Sequence, residues 1–347
     1  MSLENIVEPL LMWYQKEKRV LPWRENPTFY HVWLSEIMLQ QTRVEAVKGY
    51  YVRFLAELPT IDSLAQVPEE KLLKLWEGLG YYNRVRNLQK AAKIIVEKKG
   101  GIPPQTYEEL VKLPGIGEYT AGAIASICYQ EKVPAIDGNV LRVMMRIMNS
   151  KRDITLAKTK KELWNELLPV LPKEVGDFNQ ALMELGATVC VPNGKPFCAK
   201  CPLQSMCQAS LCHTLDKIPV KTKKAKRKVE QKTVIIFCND KAVALQQREN
   251  TGLLAGMFEF PNVEGWITKK EVEEFSRKHG LEPLKVIELK NSKHIFTHVE
   301  WQMHGYFVKV EERSMCYEWA FYHKLETKYA IPTAYKTYKE VVKELVK

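Results

Sequence analysis

The chain has 347 residues, a length that suits two domains, and at 46% hydrophobic and 27% charged it can bury an ordinary core. Its net charge of +11 favours a polyanionic partner, of which nucleic acid is the usual one. No apolar stretch is long enough to span a membrane. The first residues, MSLENIVEPLLMWYQKEKR, read as an amphipathic helix rather than a signal peptide, so a cytoplasmic, nucleoid-associated protein with reduced thiols is expected.

From the N-terminus to about residue 212 the pattern is helix after helix. Apolar residues recur three and four apart in Ile6–Tyr14, Val32–Leu55, Glu70–Trp76, Val85–Val96, Tyr107–Leu113, Tyr119–Tyr129, Val140–Met148 and Lys160–Leu171. Turns such as Leu58-Pro59-Thr60 and Gly100-Gly101-Ile102-Pro103-Pro104 separate them. Lys217–Lys232 then carries eight Lys or Arg and one Glu, which reads as a basic linker. Beyond it the period becomes two. Strands are expected at Thr233–Cys238, Ala242–Gln247, Lys285–Leu289, Glu300–Val310 and Glu318–His323, and helices at Lys269–His279 and Thr337–Val346. The expected division is an all-α domain over 1–215, a linker over 216–232 and a small α/β or α+β domain over 233–347.

Four motifs carry chemistry. In Leu113-Pro114-Gly115-Ile116-Gly117, Pro114 ends one helix, and Gly115 and Gly117 permit a tight hairpin with positive φ. The free N–H groups of the following helix then form an anion site that positions a phosphate without reading sequence. Cys190, Cys198, Cys201 and Cys207 lie within eighteen residues with gaps of seven, two and five. Four thiolates suit a metal. A structural zinc is one reading, and an iron–sulfur cluster suits a single loop better than the paired spacing zinc prefers.

Glu36 stands among Val32, Trp33, Leu34, Ile37 and Met38. If it faces inward, desolvation raises its pKa and makes it a general acid; the bland alternative is an exposed helical charge. Gln40-Gln41-Thr42-Arg43 follows as a surface suited to something polar. Asp137 occupies the N-cap position before Val140–Met148. That is a sufficient structural role, but capping N–H groups and the helix dipole also favour its ionised form. One neutral acid and one carboxylate are what cleavage of an N-glycosidic bond needs.

Taken together, Leu21-Pro22-Trp23-Arg24, Trp33-Leu34-Ser35-Glu36-Ile37-Met38-Leu39-Gln40-Gln41-Thr42, Trp76-Glu77-Gly78-Leu79-Gly80-Tyr81-Tyr82, the hairpin, Ala135-Ile136-Asp137-Gly138-Asn139-Val140 and the cysteine loop resemble the endonuclease III superfamily of DNA glycosylases. Within it the chain resembles the MutY-type adenine DNA glycosylases. The resemblance implies an all-α helix-hairpin-helix glycosylase domain with a [4Fe-4S] loop over 190–207, followed by a small Nudix-like α+β domain. It implies double-stranded DNA with adenine opposite 8-oxoguanine or guanine as substrate, bound by a monomer. Glu36 then protonates adenine N7, Asp137 stabilises the sugar cation or traps it, and Asn139 supports Asp137. Gln41 and Tyr81 probe or wedge the stack, with Arg24, Thr42, Gly115 and Gly117 also on the DNA side. A flipped base is a physical requirement in any case.

Bifunctional relatives carry a Lys after the hairpin that forms a Schiff base. Here the sequence is Glu118-Tyr119-Thr120, which lacks that nucleophile. Tyr119 is expected to bond the sugar or Asp137, or simply to pack inward. Leu253-Leu254-Ala255-Gly256-Met257-Phe258-Glu259-Phe260-Pro261 resembles the Nudix-like lesion-checking domain, and Phe296-Thr297-His298 its Phe-Ser-His recognition turn. His279-Gly280 stand where a Nudix box has Arg-Glu, so no Mg²⁺-dependent hydrolysis is expected. The first cysteine gap is seven residues against the family's common six, and Thr297 replaces Ser. Rival readings are an endonuclease III-like or thymine/uracil mismatch glycosylase, a non-catalytic lesion-binding iron–sulfur protein, and a nucleotide pyrophosphatase.

Overall fold

The computed structural model describes residues 2–222 and 226–346. They fall into two units, Met1–Gln66 with Arg86–Lys224, and Val67–Val85 with Ala225–Lys347. Helices dominate the first unit and a mixed sheet the second. Among the described residues no helix is long and apolar enough to cross a membrane.

In the first unit the i, i+3, i+4 spacing is spent on one shared core. Ile6, Leu10 and Tyr14 at the Val7–Glu17 helix meet Val140, Val143, Met144 and Ile147 of the Gly138–Ile147 helix and Phe178, Leu182 and Leu185 of the Val175–Thr188 helix. The Phe29–Leu39 helix packs against Glu118–Tyr129. It is buried at nine of its eleven positions, all but His31 and Leu39. The single helix expected over Val32–Leu55 is in fact two, Phe29–Leu39 and Val44–Glu57. The break is Gln41, whose φ of 61° leaves the right-handed helical region. A helix buried nearly all round cannot continue directly into an amphipathic one without such a turn.

Close backbone approach sets the position of the Glu118–Tyr129 helix. A Cβ at Gly122 would press into the Pro134 carbonyl oxygen, and one at Gly176 would lie 2.8 Å from the Ser126 carbonyl oxygen. The segment leading to Asp137 is therefore laid directly on that helix, and Asn179 clamps it by accepting from Ala135 N–H and donating to the Val133 carbonyl.

The second unit contains strands β1 (Lys228–Asn239), β2 (Ala242–Gln247), β3 (Phe258–Glu259), β4 (Asn262–Glu264), β5 (Pro283–Ile295), β6 (Val299–Val310) and β7 (Glu318–Phe321). The order is β3-β2-β1-β6-β5, with β4 on β1 and β7 on β2; β1 and β6 are parallel and the other pairs antiparallel. Period two divides the faces. Val234, Ile236, Trp301 and Met303 pack with Tyr335, Tyr338 and Val342, while Ile235, Phe237, Tyr306 and Val308 pack with Val272 and Leu281. β5 is longer than the sequence pattern suggests, because a register shift between Leu289 and Ser292 interrupts the alternation. Thr268 and Glu271 close a capping box at the Lys269–Lys278 helix.

The basic segment expected to be a tether is partly ordered. Val220 bridges to Asp153, Thr222 bonds the Asp153 carboxylate, and β1 already begins at Lys228. Residues 223–225 of that segment lie outside the described residues.

Gly122→Ala forces a methyl group against a carbonyl in a packed region, and is expected to destabilise the protein by about 2–3 kcal/mol. Chemical denaturation followed by circular dichroism measures this; an unchanged midpoint contradicts the tight contact between the helix and the Pro134 segment.

Candidate active site

The helix that is buried nearly all round carries Glu36 into an open cleft of about 1480 Å³. Asp137, Asn139, Tyr119, Arg24, Gln40, Gln41, Thr42, Met183, Glu184 and Gly186 line the same cleft, so residues separated by 150 positions in sequence converge there. All belong to the first unit.

Glu36 is 7% exposed. The Tyr119 hydroxyl donates to its Oε2 at 2.6 Å and lies 3.2 Å from Met183 Sδ. Tyr119 was expected to bond the sugar or Asp137, or to pack inward; within the protein its hydroxyl meets Glu36, because the two side chains lie on helices packed against each other. Burial pushes the Glu36 carboxyl up to about 7, the Asp137 charge adds to this, and the Tyr119 hydrogen bond and Arg24 oppose it. Burial also holds the Tyr119 phenol well above its ordinary value, so it remains a donor.

Asp137 caps the Gly138–Ile147 helix, as its sequence position suggested: Val140 N–H donates to Oδ1 at 2.7 Å. Asn139 Nδ2 donates to Oδ2 at 2.7 Å, and Arg142 Nη2 holds Asn139 Oδ1 at 2.9 Å. The capping N–H group acts in the expected direction, but burial opposes it. Burial raises the Asp137 carboxyl, while the Val140 and Asn139 hydrogen bonds and the Arg142 charge pull the other way. Both acids are thus raised. They differ in compensation: hydrogen bonds from Val140 and Asn139 and the Arg142 charge oppose the burial of Asp137, whereas one neutral hydroxyl and the Arg24 charge oppose that of Glu36.

Several wall residues carry signals that were not read from the sequence. Glu184, in a largely apolar stretch of helix as Glu36 is, is 1% exposed. It accepts from Arg19 Nε at 2.6 Å and Arg24 Nη2 at 2.9 Å. Burial works to raise its carboxyl, but the two arginines outweigh it and hold it low. The Arg24 guanidinium also donates to the Arg19 carbonyl and lies over the Tyr14 ring, so its polar atoms are engaged within the protein. Gly186 lets the Val175–Thr188 helix touch Asn139: a Cβ there would be 2.6 Å from Asn139 Cβ. Arg142 and Arg146 are charges on an otherwise apolar face, a signal the periodicity contained.

Cys190, Cys198, Cys201 and Cys207 line one small pocket with Val189, Pro196, Gln204, Ser210 and Leu215. Arg146 Nη1 lies 3.2 Å from Cys190 Sγ, and Arg142 Nε donates to the Cys190 carbonyl at 2.8 Å. Among the described residues no three His, Cys, Asp or Glu side chains are grouped to hold a single metal ion.

At the hairpin, Gly115 has φ 78° and a Cβ there would lie 2.8 Å from Asn87 Cβ. Gly117 departs from expectation. Its φ is −88°, so it serves as N-cap of Glu118–Tyr129, with no side chain capping the amides behind it. Neither glycine lines the cleft.

Tyr81 and the Phe296-Thr297-His298 turn belong to the second unit. Tyr81 is 46% exposed with φ 49°, and its hydroxyl lies 2.6 Å from Thr297 Oγ1. The turn links β5 to β6, Thr297 and His298 are exposed, and Phe296 packs edge-on against the buried Trp301.

The family model of the HhH-GPD superfamily base excision DNA repair protein matches residues 34–169, and that of the NUDIX domain matches 232–340. The chain is 37% identical to the adenine DNA glycosylase of Mus musculus over 87% of its own length and 70% of that protein. It is 35% identical to the adenine DNA glycosylase of Buchnera aphidicola subsp. Baizongia pistaciae (strain Bp), over 89% of its length and 87% of that protein. Among solved structures it is similar to a thermostable thymine-DNA glycosylase, with TM-score 0.55 and 27% identity, covering 60% of this chain and 96% of that one. An endonuclease III–DNA complex, at TM-score 0.52 and 23% identity over 61% of this chain and 96% of that one, shares the fold.

Tyr119→Phe deletes the one hydrogen bond that lowers the Glu36 carboxyl and leaves its burial in place. The Glu36 titration should therefore move upward from about 7. Carboxyl-carbon NMR of the labelled protein reads this directly, and a midpoint that stays put or falls would show that the phenol does not act on Glu36.

Proposed function

The chain belongs to the adenine DNA glycosylase family of base-excision repair enzymes, and from that premise we propose that it removes adenine opposite 8-oxoguanine or guanine by acid-assisted cleavage between Glu36 and Asp137. The observation that carries this reading is the pair itself: two carboxylates on the wall of one cleft, one held near neutrality by burial and the other surrounded by donors.

The adenine must leave the base stack to reach a cleft of this kind. Glu36, raised to about 7, holds a proton near neutral pH that an ordinary carboxylic acid would have lost. It delivers that proton to N7 as the C1′–N9 bond breaks and the bonding electrons leave with the base. Positive charge develops on the sugar, and the Asp137 carboxylate stabilises it. Asn139 fixes one Asp137 oxygen and Val140 N–H the other, so the anion is aimed before the reaction begins. Water then attacks C1′, and the Glu36 carboxylate left by the first step takes its proton.

Tyr119 stands where an amine would have to stand for Schiff-base chemistry, and a phenol held well above its ordinary pKa offers no such nucleophile. Base removal without strand cleavage follows. The uncapped amides at the start of the Glu118–Tyr129 helix hold a DNA phosphate, and Gln41 and Thr42 meet the DNA at the rim of the cleft. Cys190, Cys198, Cys201 and Cys207 would hold a [4Fe-4S] cluster; the single pocket they share and the guanidinium beside Cys190 suit it. Bound by these four residues, it would order the 190–207 loop and supply no chemistry at the glycosidic bond. Residues 1–215 remove the base, while 233–347, through Phe296, Thr297 and His298, check the base opposite; Tyr81 wedges the stack.

Glu36→Gln should lower the single-turnover rate of adenine release by about 10²–10⁴-fold while leaving duplex binding in place. Full activity in that variant removes Glu36 from the mechanism. The working form of Glu36 is protonated, so the wild-type rate should decline as pH rises through about 7, and it should also fall in acid, where the Asp137 carboxylate takes up a proton. A rate that climbs across that window assigns Glu36 the opposite role, a base.

A further inference from the structure

The segment 67–85 carries the Tyr81 turn, and it packs with the sheet-containing unit although about 140 residues separate it from β1 in sequence. Three fastenings are visible. Lys74 Nζ donates to the Tyr329 carbonyl at 3.0 Å and pairs with Glu77. Lys339 Nζ pairs with the other Glu77 oxygen at 3.2 Å. At the far end of the segment, the Tyr81 hydroxyl meets Thr297 Oγ1. The Lys74, Glu77 and Lys339 side chains are only 17–21% exposed, so these are partly desolvated pairs and not loose surface contacts.

Both ends of this strap are tied to rigid parts. Glu77 is followed at once by the turn that presents Tyr81, with positive φ at Gly78, Gly80 and Tyr81. The buried Trp76 indole donates to the Gly80 carbonyl, and Arg84 donates to the carbonyls of Leu79 and Gly80 while lying over the Tyr81 ring. The shape of the turn is thus set locally, and only its place remains to be set. Lys339 follows Tyr338, which is fully buried against Gly305 of β6, where any Cβ would collide with its ring. β6 starts directly after His298.

We propose that the Lys74–Glu77–Lys339 strap sets the enzyme's discrimination between partner bases. It fastens the Tyr81 turn to the sheet carrying Phe296-Thr297-His298, so that wedge and reading turn address the opposite base as one body. Glu77 and Lys339 are positioning residues that act through Tyr81 and Thr297. The inference rests on the reading above, in which Thr297 checks the base opposite adenine and Tyr81 wedges the stack beside it.

The test uses the full-length protein and single-turnover adenine release from A·8-oxoguanine and A·G duplexes. In Glu77→Gln and Lys339→Met, the rate ratio between the two duplexes should fall by about 5- to 10-fold while the A·G rate stays within about twofold. The double variant should be no worse than the worse single one, because both remove the same pair. Lys339→Arg, which keeps the charge, should retain the ratio. An unchanged ratio in both single variants overturns the proposal, as does a parallel fall on both duplexes with a lowered melting temperature, which would make the strap a stabilising contact only. A wild-type protein that releases no adenine, or shows no preference for 8-oxoguanine, defeats instead the reading on which the strap rests.

Discussion

Burial of one carboxylate is the constraint on which the active unit depends. Glu36 sits in a helix whose neighbours are Trp33, Leu34, Ile37 and Met38, each no more than 2% exposed. Desolvating a charge in such a place is costly, and the least costly response is to hold a proton. Everything around Glu36 keeps that state useful. The Tyr119 hydroxyl limits the rise in pKa without supplying a counter-charge, and the Asp137 charge sustains it. Had a cation stood in direct contact, as the arginines do at Glu184, the acid would have been an ordinary carboxylate.

Glu184 makes that comparison within one cleft. Both glutamates are buried, and both stand in largely apolar stretches of helix. Arg19 and Arg24 contact one and not the other, and the two carboxyls move in opposite directions. Asp137 is an intermediate case, raised by burial against hydrogen bonds from Val140 and Asn139. Three acids on one wall are thus given different proton affinities by their partners rather than by depth alone. The same helix that supplies Asp137 also supplies Arg142, which bonds Asn139 on one side and the Cys190 carbonyl on the other, so the cysteine loop and the catalytic cap share a support.

Backbone geometry supplies the remaining precision. Gly122, Gly176 and Gly186 let three segments approach more closely than any side chain would permit. The left-handed residues Gln41 and Tyr81 place their side chains where a continuous helix would not. Such positions are tolerated because the surrounding packing holds them, as Trp76 and Arg84 do around Tyr81.

Local pattern determined the order of helices and strands, the cap at Asp137, the cysteine loop and the apolar setting of Glu36. These follow from spacing and neighbours in the chain, which is the information a sequence holds directly. The family resemblance rested on the same short stretches. What the tertiary structure decided is which groups meet. That Tyr119 bonds Glu36 and not Asp137, that Arg24 is engaged by Glu184, that Gly117 needs no positive φ, and that segment 67–85 joins the sheet all depend on contacts between residues far apart in sequence. The split of the long helix at Gln41 belongs to the same class, since periodicity runs through the break and only packing requires it. A carboxylate's neighbours in sequence show that its surroundings are apolar; its burial and proton affinity are set by the partners that the fold brings to it.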